Sequence, residues 1–168
     1  MAMTRDAPAF LAVIEANKGI IYKVANFYCR NADNRKDLVQ EIMVQLWLSF
    51  NKYDEKYSIT TWMYRIALNV SISFYRKENR RDTINHPMPG EILILYEADT
   101  GSPQAEVELL YRCIRELKEI DRAVILLYLE GSAQQEIAEI LGLSLTNVST
   151  KVSRIKQQLK TAFSNLTT

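Results

Sequence analysis

"SAQQEIAEILGLSLTNVSTKVSRIKQQLKTAF", residues 132–163, is the stretch whose reading decides the fold. Its apolar residues recur at three, four and seven places, the period of a helix buried along one side. The first half, about 133–140 with its end, carries Ile137, Ala138 and Leu141, and the small Ala138 lets a second helix approach closely. Gly142 supplies the positive-φ position that ends a helix. Leu143 then plugs the turn, Ser144 or Thr146 starts a second helix, and Val148, Val152, Ile155 and Leu159 form its buried stripe. The other face offers Thr146, Asn147, Ser149, Thr150, Lys151, Ser153, Arg154 and Lys156, and no acid follows Glu139. A helix–turn–helix sets such a polar N-terminal half in the major groove, where Asn, Ser, Thr, Lys and Arg can meet base edges and phosphates. An ordinary helical hairpin would show the same stripe, but the turn spacing and the missing acids count against it. DNA binding is the expectation.

Upstream, "QAEVELLYRCIREL" and "EIDRAVILLYLE" read as two more helices. Before them, residues 82–103, "DTINHPMPGEILILYEADTGSP", hold three prolines and two glycines among acids and read as a linker. From Pro8 to about Arg81 the pattern is helical again. "AFLAVIEANKGIIYKVANFYC" places Phe10, Val13, Ile14, Ile20, Ile21, Val24 and Phe27 at helical spacings. "RKDLVQEIMVQLWLSF" opens near Asn34 as N-cap with Asp37 in its first turn, and Leu38, Ile42, Leu46 and Phe50 make its stripe. After "NKYDEKYS", Thr60 or Thr61 caps a helix whose apolar positions are Met63, Ile66, Val70 and Phe74. The whole is all-α, two small helical units joined by an irregular tether.

The chain has 168 residues and a net charge of +1, which conceals a segregation. Residues 59–81 hold five basic side chains against one acid, and residues 144–168 hold four against none. Residues 82–143 hold four against twelve. Two separate basic segments are the footprint of a polyanion. The first, within "SITTWMYRIALNVSISFYRKENRR" at residues 58–81, mixes cations with Trp62, Tyr64, Phe74 and Tyr75. Duplex readers rarely need that mixture. Single strands do, because freed bases stack on aromatic faces, at roughly 1–3 kcal/mol each, while cations hold the backbone. Phe74 is expected in the core.

These segments, "DLVQEIMVQLW", "TTWMYRIALNVSISFYRK", a linker and "EIAEILGLSLTNVSTKVSRI", in that order over about residues 9–163, resemble the extracytoplasmic-function (ECF) group of bacterial sigma-70 family factors. The resemblance implies a transcription initiation factor with a domain 2-like unit at 1–81, a linker at 82–103 and a domain 4-like helix–turn–helix at 104–168. It implies docking on the RNA polymerase core through Asp37, Gln40, Glu41, Leu46 and Trp47. For the −10 element it implies Tyr53 and Asn69 in a base-capture pocket, with Trp62, Arg65, Arg76, Lys77 and Arg80 holding the melted strand. For the −35 element it implies Thr146, Asn147, Ser149, Thr150, Lys151, Ser153 and Arg154. The acidic linker would thread into the polymerase's RNA path, and the resemblance allows for an anti-sigma partner. Two departures stand out: Ser149 replaces a frequent Lys or Arg, and "KYDEKYS" lacks the family's common Gly.

An alternative is a helix–turn–helix regulator that never touches core polymerase; the residues 37–81 assembly separates the two, since a simple repressor needs no strand-capturing aromatics. An enzyme is not expected, for no nucleophile–base pairing, metal-spaced carboxylate cluster or phosphate-binding Gly loop occurs. No cofactor is expected either. Cys29 and Cys113 lie far apart and suit small buried residues in a reducing cytoplasm. His86 reads as a linker residue. No apolar run is long enough to span a bilayer, export is not expected because the N-terminal stretch lacks a signal-peptide core, and built-in regulation by a C-terminal extension is not expected.

Overall fold

A computed structural model describes residues 6–29, 31–85 and 103–167. Among them run seven α-helices and a short 3₁₀ turn, with no strand. The helices are α1 (Ala7–Tyr28), α2 (Ala32–Ser49), α3 (Ile59–Asn85), α4 (Pro103–Arg115), α5 (Glu119–Leu129), α6 (Gln134–Leu141) and α7 (Leu145–Thr167). Residues 82–85 therefore extend α3 rather than begin the linker. Pro103 opens α4, and the rest of the expected linker, with His86 and the "EILILYE" run, lies outside the described residues.

Local chemistry places the helix ends. Asn31, not Asn34, caps α2: its side chain accepts from the amides of Asp33 (2.8 Å) and Asn34 (3.3 Å). The start is thus three residues earlier than expected, so Asp33 rather than Asp37 occupies the first turn. Ser58, not Thr60 or Thr61, caps α3, its hydroxyl accepting from the Thr61 amide at 3.2 Å. α1 bends at Asn17, whose φ of −128° and ψ of 16° leave the helical region. The Asn17 side chain donates to the Val13 carbonyl at 2.9 Å, a side-chain insertion of the kind that accompanies helix kinks.

α1, α2 and α3 pack on one another around Phe10, Ile14, Ile21, Val24, Leu38, Ile42, Leu46, Phe50, Met63 and Leu68, all buried. α7 lies across α4, α5 and α6 over Ile114, Val124, Leu127, Ile137, Val148, Val152 and Ile155. Each fully buried aliphatic or aromatic side chain contributes about 1.5–3 kcal/mol, and the buried residues of the two units join in one continuous cluster. Gly142 adopts φ +69° at the end of α6, and the Leu143 amide reaches back to the Ala138 carbonyl at 3.0 Å, as the turn of a helix–turn–helix requires. Ile140 takes the buried place expected of Leu141, which is half-buried. The two units are in contact: α3 lies against α5 and α6, and α1 against α4 and α5.

Candidate nucleic-acid interface

On α3, Trp62, Arg65, Asn69, Arg76 and Arg80 recur every three, four or seven places and so share one face, with Lys77 at its edge. Asn69, Arg76, Lys77 and Arg80 are exposed, and Trp62 and Arg65 are half-buried. The Trp62 indole lies 5.3 Å from the Tyr53 ring and 6.2 Å from Phe50, between centroids. Tyr53 itself is buried, its hydroxyl donating to the Tyr57 carbonyl. The Tyr57 ring in turn lies under the Arg65 guanidinium at 5.0 Å, a cation–π distance. The loop before α3 and its first turns therefore form one ring-and-cation cluster, in which Tyr53 braces Trp62 from behind.

Two cations of this face are engaged by the other unit. Arg65 donates to the Glu139 carbonyl at the end of α6 (2.6 Å), and Arg76 pairs with Glu119 on α5 (2.6 Å). The Arg76 hydrogen bond holds the Glu119 carboxyl below its usual range, so the pair is intact at neutral pH. This contribution is present above the ordinary carboxyl value and is lost as pH falls through the depressed one.

On α7 the buried stripe turns Thr146, Asn147, Thr150, Ser153 and Arg154 to solvent, and Ser149 is exposed beside them. Ser149 donates its hydroxyl to the Gln134 amide oxygen on α6. Lys151 is half-buried and pairs with Asp121 at 3.0 Å, so its charge is partly spent inside the unit. Lys156 lies over the Tyr128 ring at 4.5 Å. Arg154 stands at the rim of a groove against α4 that also holds Glu116 and Gln157.

On α2, Asp37, Gln40 and Glu41 are exposed, whereas Leu46 has no exposed surface and belongs to the core. Trp47 is half-buried, edge-on to Phe10 at 5.1 Å. The apolar residues that do reach solvent beside the acids are Val44 (48 % exposed) and Leu48 (45 %). Asp37, Gln40, Glu41, Val44 and Leu48 share one face by their spacing, a stripe the sequence displays once the buried stripe is fixed. Asp37 and Glu41 also line a groove with Asn69 and Lys77, so the α2 face and the α3 face meet. Cys29 and Cys113 are free and buried, and burial pushes the Cys29 thiol up to about 11.

The architecture defines an all-α protein of two units, one bearing a ring-and-cation face and the other a helix–turn–helix. Its relatives agree. The sigma-70 region 2 family matches residues 13–81 and the sigma-70 region 4 family residues 107–159. RNA polymerase sigma factor SigV of Bacillus subtilis is 30% identical over 84% of this chain and 82% of its own length. ECF RNA polymerase sigma factor SigW of the same organism is 27% identical over 92% and 89%. The sigma factor RpoE of Bartonella quintana, solved in complex with the anti-sigma factor NepR, superposes with a TM-score of 0.69 at 21% identity, covering 94% of this chain and 95% of that one. The chain belongs to the ECF group of the sigma-70 family of RNA polymerase sigma factors.

Proposed function

We propose that this chain directs bacterial core RNA polymerase to its promoters by dividing the work between its two units. α7 reads the −35 duplex through Thr146, Asn147, Ser149, Thr150, Ser153 and Arg154, with Lys151 close behind. The α3 face takes the melted −10 strand: Trp62 and Asn69 meet bases, and Arg65, Arg76, Lys77 and Arg80 meet phosphates. Tyr53 acts from behind Trp62. The exposed α2 stripe docks on the core enzyme, Asp37, Gln40 and Glu41 giving polar contacts and Val44 and Leu48 the apolar anchor, the mixture that suits a protein interface. Leu46 supports that face from within, and Trp47 flanks it. The division of labour follows these elements: a promoter-opening unit through the end of α3, a tether between α3 and α4, and a −35-reading unit from α4 onward. The chain works by binding rather than catalysis, in the cytoplasm where polymerase and promoters are. No helix among the described residues is long and apolar enough to cross a membrane. An anti-sigma factor is a further partner, since RpoE was solved with one.

The observation that carries this reading is the placement of two basic faces on separate units, one rich in rings, the other a solvent-facing recognition helix. A regulator independent of polymerase would leave the α2 stripe without a purpose. Mixed with bacterial core polymerase and a linear genomic template, the chain is expected to yield transcripts with shared start-site motifs. Output no different from core alone would overturn the proposal.

A further inference from the structure

Among the described residues, one hydroxyl of the exposed α7 face is tied to another helix. Ser149, one turn into α7, donates its proton to the side-chain oxygen of Gln134, the half-buried first residue of α6. Thr146, Thr150 and Ser153 share that face by their spacing, and their hydroxyls have no partner on another helix among the described residues. Gln134 lies outside the buried core of the helix–turn–helix, which Ile137, Ala138 and Ile140 supply from α6.

A serine hydroxyl has one proton and two lone pairs, and a free one rotates to meet either a donor or an acceptor. That freedom makes serine a poor discriminator, able to serve any base edge in the major groove. Ser149 has lost it. The Gln134 amide oxygen can only accept, so the Ser149 proton is committed to α6 and Oγ presents lone pairs alone to a ligand. In the major groove, the groups that give a hydrogen to such an oxygen are the amino groups of adenine (N6) and cytosine (N4). Guanine O6 and thymine O4 also offer lone pairs, and they repel it. Gln134 Nε2 keeps its donors without a partner among the described residues. The first helix of a helix–turn–helix crosses the DNA backbone, so a phosphate is the acceptor those donors meet.

We propose that Gln134 is a positioning residue for −35 recognition. It turns Ser149 into an acceptor-only reader that selects, at one position of the element, a base carrying an exocyclic amino group, adenine or cytosine. Gln134 acts through Ser149 and does not touch the base. The pair is neutral, so it adds selectivity rather than charge at a position where the family frequently places Lys or Arg. The inference rests on the proposed −35 role of α7.

The test uses this chain assembled with bacterial core polymerase, and a −35 duplex that the assembly selects from a random library. At each position in turn, A·T is changed to G·C or C·G to T·A. Each change moves the major-groove amino group to the opposite strand and puts an oxo group in its place; the selected base at the sensitive position tells adenine from cytosine. At that position the wild type should lose about tenfold in affinity, through a lost hydrogen bond and an acceptor facing an acceptor. Gln134→Met, similar in size but without a polar side-chain atom, frees the hydroxyl to rotate, and the same change should cost it no more than about twofold. Ser149→Ala should be equally indifferent there. Gln134→Glu still accepts from Ser149, so it should keep the wild-type preference while binding every duplex more weakly, its carboxylate repelling the phosphate. Circular dichroism checks that each variant keeps native helix. The inference is overturned if no position loses its preference in both Gln134→Met and Ser149→Ala, or if Gln134→Glu loses it too. An assembly that selects no shared duplex sequence would instead remove the −35 role itself, so the two readings fail separately.

Discussion

α3 and α7 begin from nearly the same electrostatics and end differently. The segment around α3 has five basic residues against one acid, and that around α7 has four against none. Yet Arg65 and Arg76 of α3 are bound by the other unit, whereas on α7 Lys151 pairs with Asp121 and Lys156 lies over Tyr128, both partners in its own unit. The acid-rich middle of the chain supplies Glu119 and Asp121, consecutive odd positions of the first turn of α5, to the two basic helices in turn. Charge along a sequence therefore states what a surface can attract. It does not state whether the chain itself has already answered.

The comparison would break most visibly through the cores. Phe50 is fully buried against Phe10 and Trp62, and Phe50→Ala should cost about 3–5 kcal/mol. Ile155→Ala should cost about 2–5 kcal/mol in the other unit. Both tryptophans, Trp47 and Trp62, lie in the α1–α3 unit, so their fluorescence follows that unit while circular dichroism follows both. Phe50→Ala should move the fluorescence transition, and Ile155→Ala chiefly the dichroism. Equal shifts in both signals for Ile155→Ala would show the units melting as one body.

Sequence patterns carried the two units only part of the way. Period and turn chemistry revealed all seven helices and the Gly142 turn, because an apolar stripe and a positive φ leave direct marks on residue type. Cap residues were less legible: Asn31 and Asn34 are chemically equal candidates three places apart, and only the backbone decides between them. Leu46 stood both in the buried stripe and in the expected docking set, and the fold assigns it to the former, leaving Val44 and Leu48 outside. The contact between the units could not be read at all. Arg122 in "EIDRAVILLYLE" looks like any solvated cation, and its burial depends on Tyr28 and Tyr75, 94 and 47 places away.

Smaller effects sharpen the contrast between the basic helices. Arg154→Ala should weaken −35 duplex binding by about 1–3 kcal/mol and leave strand opening on a pre-melted template intact. Trp62→Ala should do the reverse, sparing duplex affinity while lowering permanganate reactivity at −10 in the polymerase complex. Wild-type opening by Trp62→Ala would remove the ring from the strand-capture role. The least expected change belongs to Asp121→Asn, which releases Lys151 at a stability cost of about 0.5–1 kcal/mol. One freed cation at the duplex should steepen the log–log salt dependence of binding by about 0.9. An unaltered slope would mean that Lys151 never turns outward.

The bend at Asn17 gives α1 two masters. Ahead of it, Phe10 anchors on Trp47 and Phe50 inside the first unit; beyond it, Lys23, Phe27 and Tyr28 face the second. A straight rod would have to satisfy both with a single heading. The hinge angle set by one asparagine thus steers how the forward half of that helix meets its neighbour, and a straightening substitution such as Asn17→Ala would misalign the docking half while sparing the anchored one.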